Sequence, residues 1–202
     1  IIREIKESLT ANKIQQIVGI INGTTNYILT KMTSCNMSFE EALKEAQAKG
    51  YAEADPTDDI EAFDASYKLS IISSLSFGTK VPPDKILREG ITKIKPIDIE
   101  YAKKFGYIIK LLALGRVIDG SIEVRVHPTF VPENHNLAHI EDSFNAIYIK
   151  GNAVGDLMVY GRGAGDLPTG SAVVGDILAI LRNNMNFHSI NHIKDTESKL
   201  SL

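Results

Sequence analysis

The 202 residues include one cysteine, Cys35, and no long apolar run. A lone cysteine closes no internal disulfide, and Cys35 has no Cys or His neighbour at metal-ligand spacing. That fits a reducing cytoplasm, the expected location. A membrane-spanning helix needs roughly 18 consecutive apolar residues, and none is present. No basic face is visible either: Lys and Arg are scattered and the net charge is −3, so a nucleic-acid partner is not expected. His135/His139 and His188/His192 are spaced i,i+4, but neither pair carries the glutamate that a zinc-protease helix needs, so no metal site is expected. The opening Ile1-Ile2-Arg3-Glu4 lacks the apolar core of a signal peptide and an initiator Met, which is expected of a piece of a longer chain.

Periodicity then predicts the elements. Residues 1–9 read as the end of a helix, with Ile2, Ile5 and Leu9 on one side. The β-branched run 14–21 reads as a buried strand. Asn22-Gly23-Thr24-Thr25 breaks it and opens a helix through Tyr27, Ile28, Leu29 and Met32. Ser38-Phe39-Glu40-Glu41 is a capping box for a helix ending near Gly50. Asp55 and Pro56 read as the cap and first residue of one continuous helix to Phe77. Asp98 is expected to cap a helix through Tyr101, Phe105, Ile108 and Leu112. Strands follow at 122–126, 146–149 and 157–160. The Gly-rich turn Gly161-Arg162-Gly163-Ala164-Gly165 then leads to a last helix at 168–181. Helices first and strands after predict a single α+β domain over 1–202, with a mixed, largely antiparallel sheet covered by helices.

The chemistry is concentrated between Gly50 and Lys68, where six residues are acidic and one is lysine. On a helical wheel Ile60, Phe63, Tyr67, Ile71 and Leu75 define an apolar face, and Asp64 and Lys68 fall inside it, one turn apart. A charged pair on a core-facing stripe is costly, so it reads either as a structural ion pair or as a site kept for proton transfer. Asp58 and Asp59 suit a helix first turn. Glu53 lies in a loop where it can meet an amino group. The turn at Gly163 reads equally as a tight strand-to-helix connection or as a cofactor contact.

Ala46, Gly50-Tyr51-Ala52, Asp55-Pro56, Asp59-Ile60, Asp64 and Lys68 together closely resemble the signature of the homoserine dehydrogenases. The segment Gly19 to Leu29 resembles that family's turn at the substrate, and Gly161 to Ala172 its late glycine-rich segment. One departure is Ala62, where the family usually has Gly; on the wheel it lies opposite Asp64 and Lys68, so a small packing adjustment is expected. The resemblance implies a fold similar to the C-terminal substrate domain of glyceraldehyde-3-phosphate-dehydrogenase-like oxidoreductases. It implies interconversion of L-aspartate 4-semialdehyde and L-homoserine with NAD(P), and a homodimer paired through the sheet. By the same resemblance Lys68 handles the proton on the substrate oxygen and Asp64 orients it. Glu53 binds the substrate amino group, while Asp59, Thr24, Gly23 and Tyr51 contact substrate. Gly163, Ala164 and Gly165 approach the cofactor. The Rossmann fingerprint is missing, so NAD(P) is expected to be held mainly by a domain upstream of this chain, with residues 195–202 leading toward a regulatory domain. Two other readings compete: a related semialdehyde dehydrogenase using Cys35 as a thiolate, and a non-catalytic oligomerisation or amino-acid-binding module.

Overall fold

In the computed structural model residues 1–182 are described; the expected linker at 195–202 and the pair His188/His192 lie outside them. A π-helical turn, Glu4–Ser8, precedes strand β1 (Ile14–Ile20). Helices α1 (Gly23–Cys35), α2 (Phe39–Ala48), α3 (Thr57–Ile60) and α4 (Phe63–Phe77) follow. Then come the short strand β2 (Leu87–Arg88), helix α5 (Pro96–Lys104), strands β3 (Tyr107–Ile118), β4 (Ser121–Pro132), β5 (Phe144–Gly151) and β6 (Gly155–Arg162), and helix α6 (Asp166–Arg182). The described strands form one six-stranded sheet in the order β2-β4-β3-β1-β5-β6. Every pairing is antiparallel except β2 with β4. The α+β class with a mixed, mostly antiparallel sheet is therefore as the sequence predicts.

Two element boundaries differ from expectation. The helix expected through Ile108 and Leu112 stops at Lys104, with Gly106 at φ 76° just beyond it, and residues 107–118 form a central strand. Asp98 is the third helical residue rather than the cap; its carboxylate accepts the Lys95 amide at 2.8 Å. The misreading has a physical cause. In β3, Ile109, Leu111 and Ala113 join the main core, while Ile108 and Leu112 pack into a second cluster with Val131, Leu137 and Ile140. A strand covered on both faces reads as a continuous apolar run without period-two alternation.

The second correction lies in the region that carries the chemistry. The single helix expected over 56–77 is broken: α3 ends at Ile60 and α4 begins at Phe63. Between them Ala62 sits fully buried at φ 62°, ψ 24°. That left-handed conformation costs an L-residue with a Cβ roughly 1–2 kcal/mol, a cost that glycine would not carry. The wheel placed Ala62 in a helix interior because it assumed continuity. Close backbone approach occurs at the break, at another glycine. The Ile91 amide donates to the Ile60 carbonyl at 2.8 Å, and a Cβ at Gly90 would lie 2.3 Å from that carbonyl oxygen and 2.6 Å from Glu61 Cα. Pro56 rather than Asp55 holds the cap position of α3; Asp55 stands one residue before it and accepts Thr57 Oγ1 at 2.6 Å and the Thr57 amide at 3.2 Å.

Breaking the helix also turns α4. Its buried side is Ala65, Ser66, Leu69, Ile72 and Ser73, whereas Tyr67 and Ile71 are exposed. Small residues let α4 lie close to the sheet: a Cβ at Gly115 of β3 would come 2.8 Å from Ser73 Oγ. The expected apolar face is thus rotated, and the Asp64/Lys68 pair stands at its margin. Helix α6 packs loosely on the rest, with Val173, Val174, Ile177 and Leu181 all exposed. No helix of the described residues is long and apolar enough to cross a membrane.

Candidate active site

Strand β1 ends at Ile20, and the chain turns into α1 at Asn22, the helix cap. The Asn22 side-chain carbonyl accepts the Thr25 amide at 2.8 Å and the Thr25 hydroxyl at 2.9 Å, which satisfies donors that a helix start leaves open. Its amide nitrogen donates to Asp59 Oδ1 at 2.6 Å and to Asp64 Oδ2 at 2.9 Å. One buried amide thus joins the end of the central strand to both segments of the broken helix. Without the break at Ala62, Asp59 and Asp64 could not both face Asn22: they are five residues apart, which on a continuous helix is nearly 140° around the axis.

Asp64 Oδ2 also accepts Lys68 Nζ at 2.7 Å, and Lys68 donates a longer bond to the Ile21 carbonyl at 3.3 Å. The side chains of Lys68 and Asp64 are 47% and 31% exposed. The sequence reading had them inside an apolar stripe; the structure places them on the wall of an open cleft. Solvent screening at that exposure leaves the ion pair little role in stability. Lys68 retains a third N–H for a ligand.

The cleft has a volume of about 380 Å³. It brings together Gly23, Thr24, Tyr51, Asp59, Asp64, Lys68, Gly163, Ala164 and Gly165 of the expected residues. Thr24 Oγ1 donates to the Tyr51 carbonyl at 2.6 Å and ties the helix start to the rim. The Tyr51 ring lies 4.8 Å from that of Tyr27. Tyr27 in turn donates to Glu45 and accepts from Lys49. Bonds to Glu45 and Tyr27 hold the Lys49 ammonium above the usual lysine range, whereas burial pushes the Tyr27 hydroxyl up. Glu53 is not brought into the lining: it is exposed on the rim loop, where its backbone carbonyl accepts from Gln47.

Six lining residues are not among the expected site residues: Asn22, Lys49, Gly50, Ser143, Asn145 and Arg162. Asn22 had a detectable signal, an Asn at a strand-to-helix junction with a threonine three residues on, but it was read only as a breaker. Ser143 and Asn145 carry no local signal because they reach the cleft through the pairing of β5 with β1. Ser143 fits tightly there, since a Cβ on Gly23 would stand 2.8 Å from its carbonyl oxygen. A Cβ on Gly163 would come 2.0 Å from Asn145 Nδ2, so the turn after β6 closes on Asn145 only because it is glycine. The Asn145 Oδ1 atom is buried and has no hydrogen-bond partner among the described residues.

Cys35, the nucleophile of one competing reading, is exposed at the other end of α1. At 1.5 Å rise per residue that is roughly 18 Å from the cleft, and it does not line it. The cleft instead combines an oriented ammonium, two carboxylates, a helix N-terminus and a glycine-rich edge. Such a set can hold a small zwitterion and stabilise negative charge developing on one of its oxygens.

Comparison with known proteins bears on this arrangement. The family model described as homoserine dehydrogenase matches residues 1–178. Homoserine dehydrogenase of Neisseria gonorrhoeae is 50% identical over 182 residues, which is 90% of this chain and 42% of that protein. The crystal structure of a homoserine dehydrogenase from Thiobacillus denitrificans superposes with a TM-score of 0.89 at 44% identity, covering 99% of this chain and 47% of that one. A hyperthermophilic archaeal homoserine dehydrogenase mutant, solved in complex with NADPH, superposes with a TM-score of 0.75 at 31% identity over 93% of this chain and 54% of its own. The chain therefore spans less than half the length of the curated relative it matches.

Proposed function

The chain belongs to the homoserine dehydrogenase family, and on that premise we propose that it is the substrate-binding and catalytic part of an NAD(P)-dependent homoserine dehydrogenase. The reaction is the reversible reduction of L-aspartate 4-semialdehyde to L-homoserine, on the route to threonine, methionine and isoleucine. The observation that carries this reading is the chain of contacts from Asn22 through Asp59 and Asp64 to Lys68 on one wall of the cleft.

Each residue has a role that its geometry supports. The cofactor, when bound, supplies a hydride to the aldehyde carbon. The carbonyl π electrons then pass to the oxygen, and Lys68 stabilises that charge and donates the proton. Its exposure allows reprotonation from water. Asp64 fixes the ammonium, and Asn22 fixes Asp64. With Asp64 engaged by Lys68, Asp59 is the lining carboxylate assigned to the substrate ammonium, together with Glu53 of the rim loop. The start of α1 at Gly23 and Thr24 suits the substrate carboxylate, and Tyr51 covers it.

The glycine-rich turn fits one edge of a dinucleotide. Gly163 lets the turn close against Asn145 at the cleft edge, and Gly165 turns at φ 121° into α6. The same turn suits the phosphates poorly, because α6 opens with Asp166 and an anion there opposes another. We therefore assign the main NAD(P) site to a Rossmann domain upstream, the cell compartment to the cytoplasm, and the dimer contact to the sheet, where Phe130 and Tyr160 are exposed.

The test is NADPH consumption with L-aspartate 4-semialdehyde. The full-length protein is expected to turn over at an ordinary enzymatic rate and residues 1–202 alone at none. Turnover by the isolated chain would refute the division of labour, and its absence from the full-length protein would favour the amino-acid-binding module.

A further inference from the structure

Lys110 lies in the middle of β3 and is 2% exposed. Among the described residues no carboxylate pairs with it directly. Its Nζ donates to Asn26 Oδ1 at 3.1 Å and to the Ile140 carbonyl. Asn26, 1% exposed on α1, sends its own amide to three alternate carbonyls of the loop and of the β5 start it leads into: Ile140 at 3.0 Å, Asp142 at 3.0 Å and Phe144 at 3.1 Å. The loop is also held from outside, where the Asp142 amide donates to Thr30 Oγ1 at 3.2 Å and its carboxylate meets Lys31 at 3.4 Å. Every one of these contacts runs between the loop, α1 and β3.

The loop leads into the cleft. Ser143 and Asn145 line it across from Asp64 and Lys68, and the Ser143 carbonyl rests against Gly23 at the start of α1. We propose that Lys110 and Asn26 act as one clamp that sets the Ser143–Asn145 wall against the α1 N-terminus, making Lys110 a positioning residue for the small amino-acid substrate. The role in substrate binding rests on the function proposed above; the clamp itself does not.

A purely structural lysine is a poor explanation of this site. A methionine would fill much the same space without taking an ammonium out of water, and apolar replacements of buried charges are often neutral or stabilising. Burial pulls the Lys110 ammonium down to about 8, against the opposing pull of Glu141 and Asp142. What methionine cannot do is donate to Ile140 and hold Asn26 in the orientation that reaches three carbonyls. Buried polar groups that break the packing rule are expected where geometry matters for function.

The experiment is done on the full-length enzyme with Lys110→Met, Asn26→Ala and the double variant. Hydrogen exchange is read at amides 140–145, and KM and kcat are read for L-aspartate 4-semialdehyde. Lys110→Met is expected to speed exchange across the loop at least tenfold while β1 and β3 keep their protection. KM is expected to rise about tenfold with kcat within threefold. The double variant should be no worse than Asn26→Ala alone, as two parts of one unit require. Unchanged loop exchange and KM in folded Lys110→Met would overturn the proposal, as would multiplicative effects in the double variant. If Lys110→Met does not fold, Asn26→Ala carries the same expectation. If the wild-type enzyme has no turnover, the functional reading fails and loop exchange still decides on the clamp.

Discussion

Lys68→Ala in the full-length enzyme is expected to lower kcat for semialdehyde reduction by about 10²–10⁴-fold, the range removed with a positioned general acid. It should leave the melting temperature almost unchanged. The two expectations together separate the roles that the sequence left open. A structural ion pair would show its loss in stability and not in turnover. Here the pair is 47% and 31% exposed, and such pairs contribute at most about 1 kcal/mol. Lys68→Arg keeps the charge but moves the donors and cannot release its proton near neutral pH, so it should recover little. Steady-state kinetics beside a thermal melt check all three statements. A variant that loses stability but keeps kcat would return Asp64 and Lys68 to a structural role.

Asn22→Asp is expected to be the most damaging isosteric change in the cleft. The cap survives, because Asp is as good an N-cap as Asn and its carboxylate still accepts the Thr25 amide. What is lost is the donor that lies 2.6 Å from Asp59 and 2.9 Å from Asp64. Three carboxylates then share a space that is 5% exposed at Asn22. Removing the bridging donor and burying an unpaired charge is expected to cost about 3 kcal/mol or more. The deficit should shrink as the pH falls, because one carboxyl group can then hold a proton. Asn22→Ala removes the donor without adding charge and should cost less. Urea unfolding of the three proteins at two pH values gives the order. Equal stability of Asn22→Asp and wild type would mean that Asn22 does not organise the two acids.

Much of this arrangement was legible in the residues. The capping box at Ser38 is formed in full, the strand at 14–20 ends where Asn22 interrupts it, and Asp64 lies one helical turn from Lys68. The long-range features were not legible. Strand β3 is covered on both faces and so lacks period-two alternation; the one local signal of a boundary is Gly106, at φ 76° after Lys103 and Lys104. The break at Ala62 is hidden for a different reason: alanine is a strong helix former, and the contacts at the break come from distant residues, Gly90 and Ile91 docking on Ile60 and Asn22 bonding Asp59 and Asp64. The break turns the apolar face of α4 away from Tyr67 and Ile71 and leaves Lys68 facing an open cleft. Lys110, the buried lysine of the structure, lies in the strand read as a helix. The cleft residues Ser143, Asn145 and Arg162 arrive from strands late in the chain, beyond the reach of local pattern.

The central claim is that this cleft holds the substrate with its reacting oxygen on Lys68. The most direct test is a crystal structure of the full-length protein with L-homoserine and NADP⁺. The account predicts the homoserine hydroxyl within about 2.7–3.2 Å of Lys68 Nζ, its carboxylate at the start of α1 and its ammonium among Asp59 and Glu53. Homoserine bound elsewhere, or bound here with its hydroxyl turned away from Lys68, would contradict it.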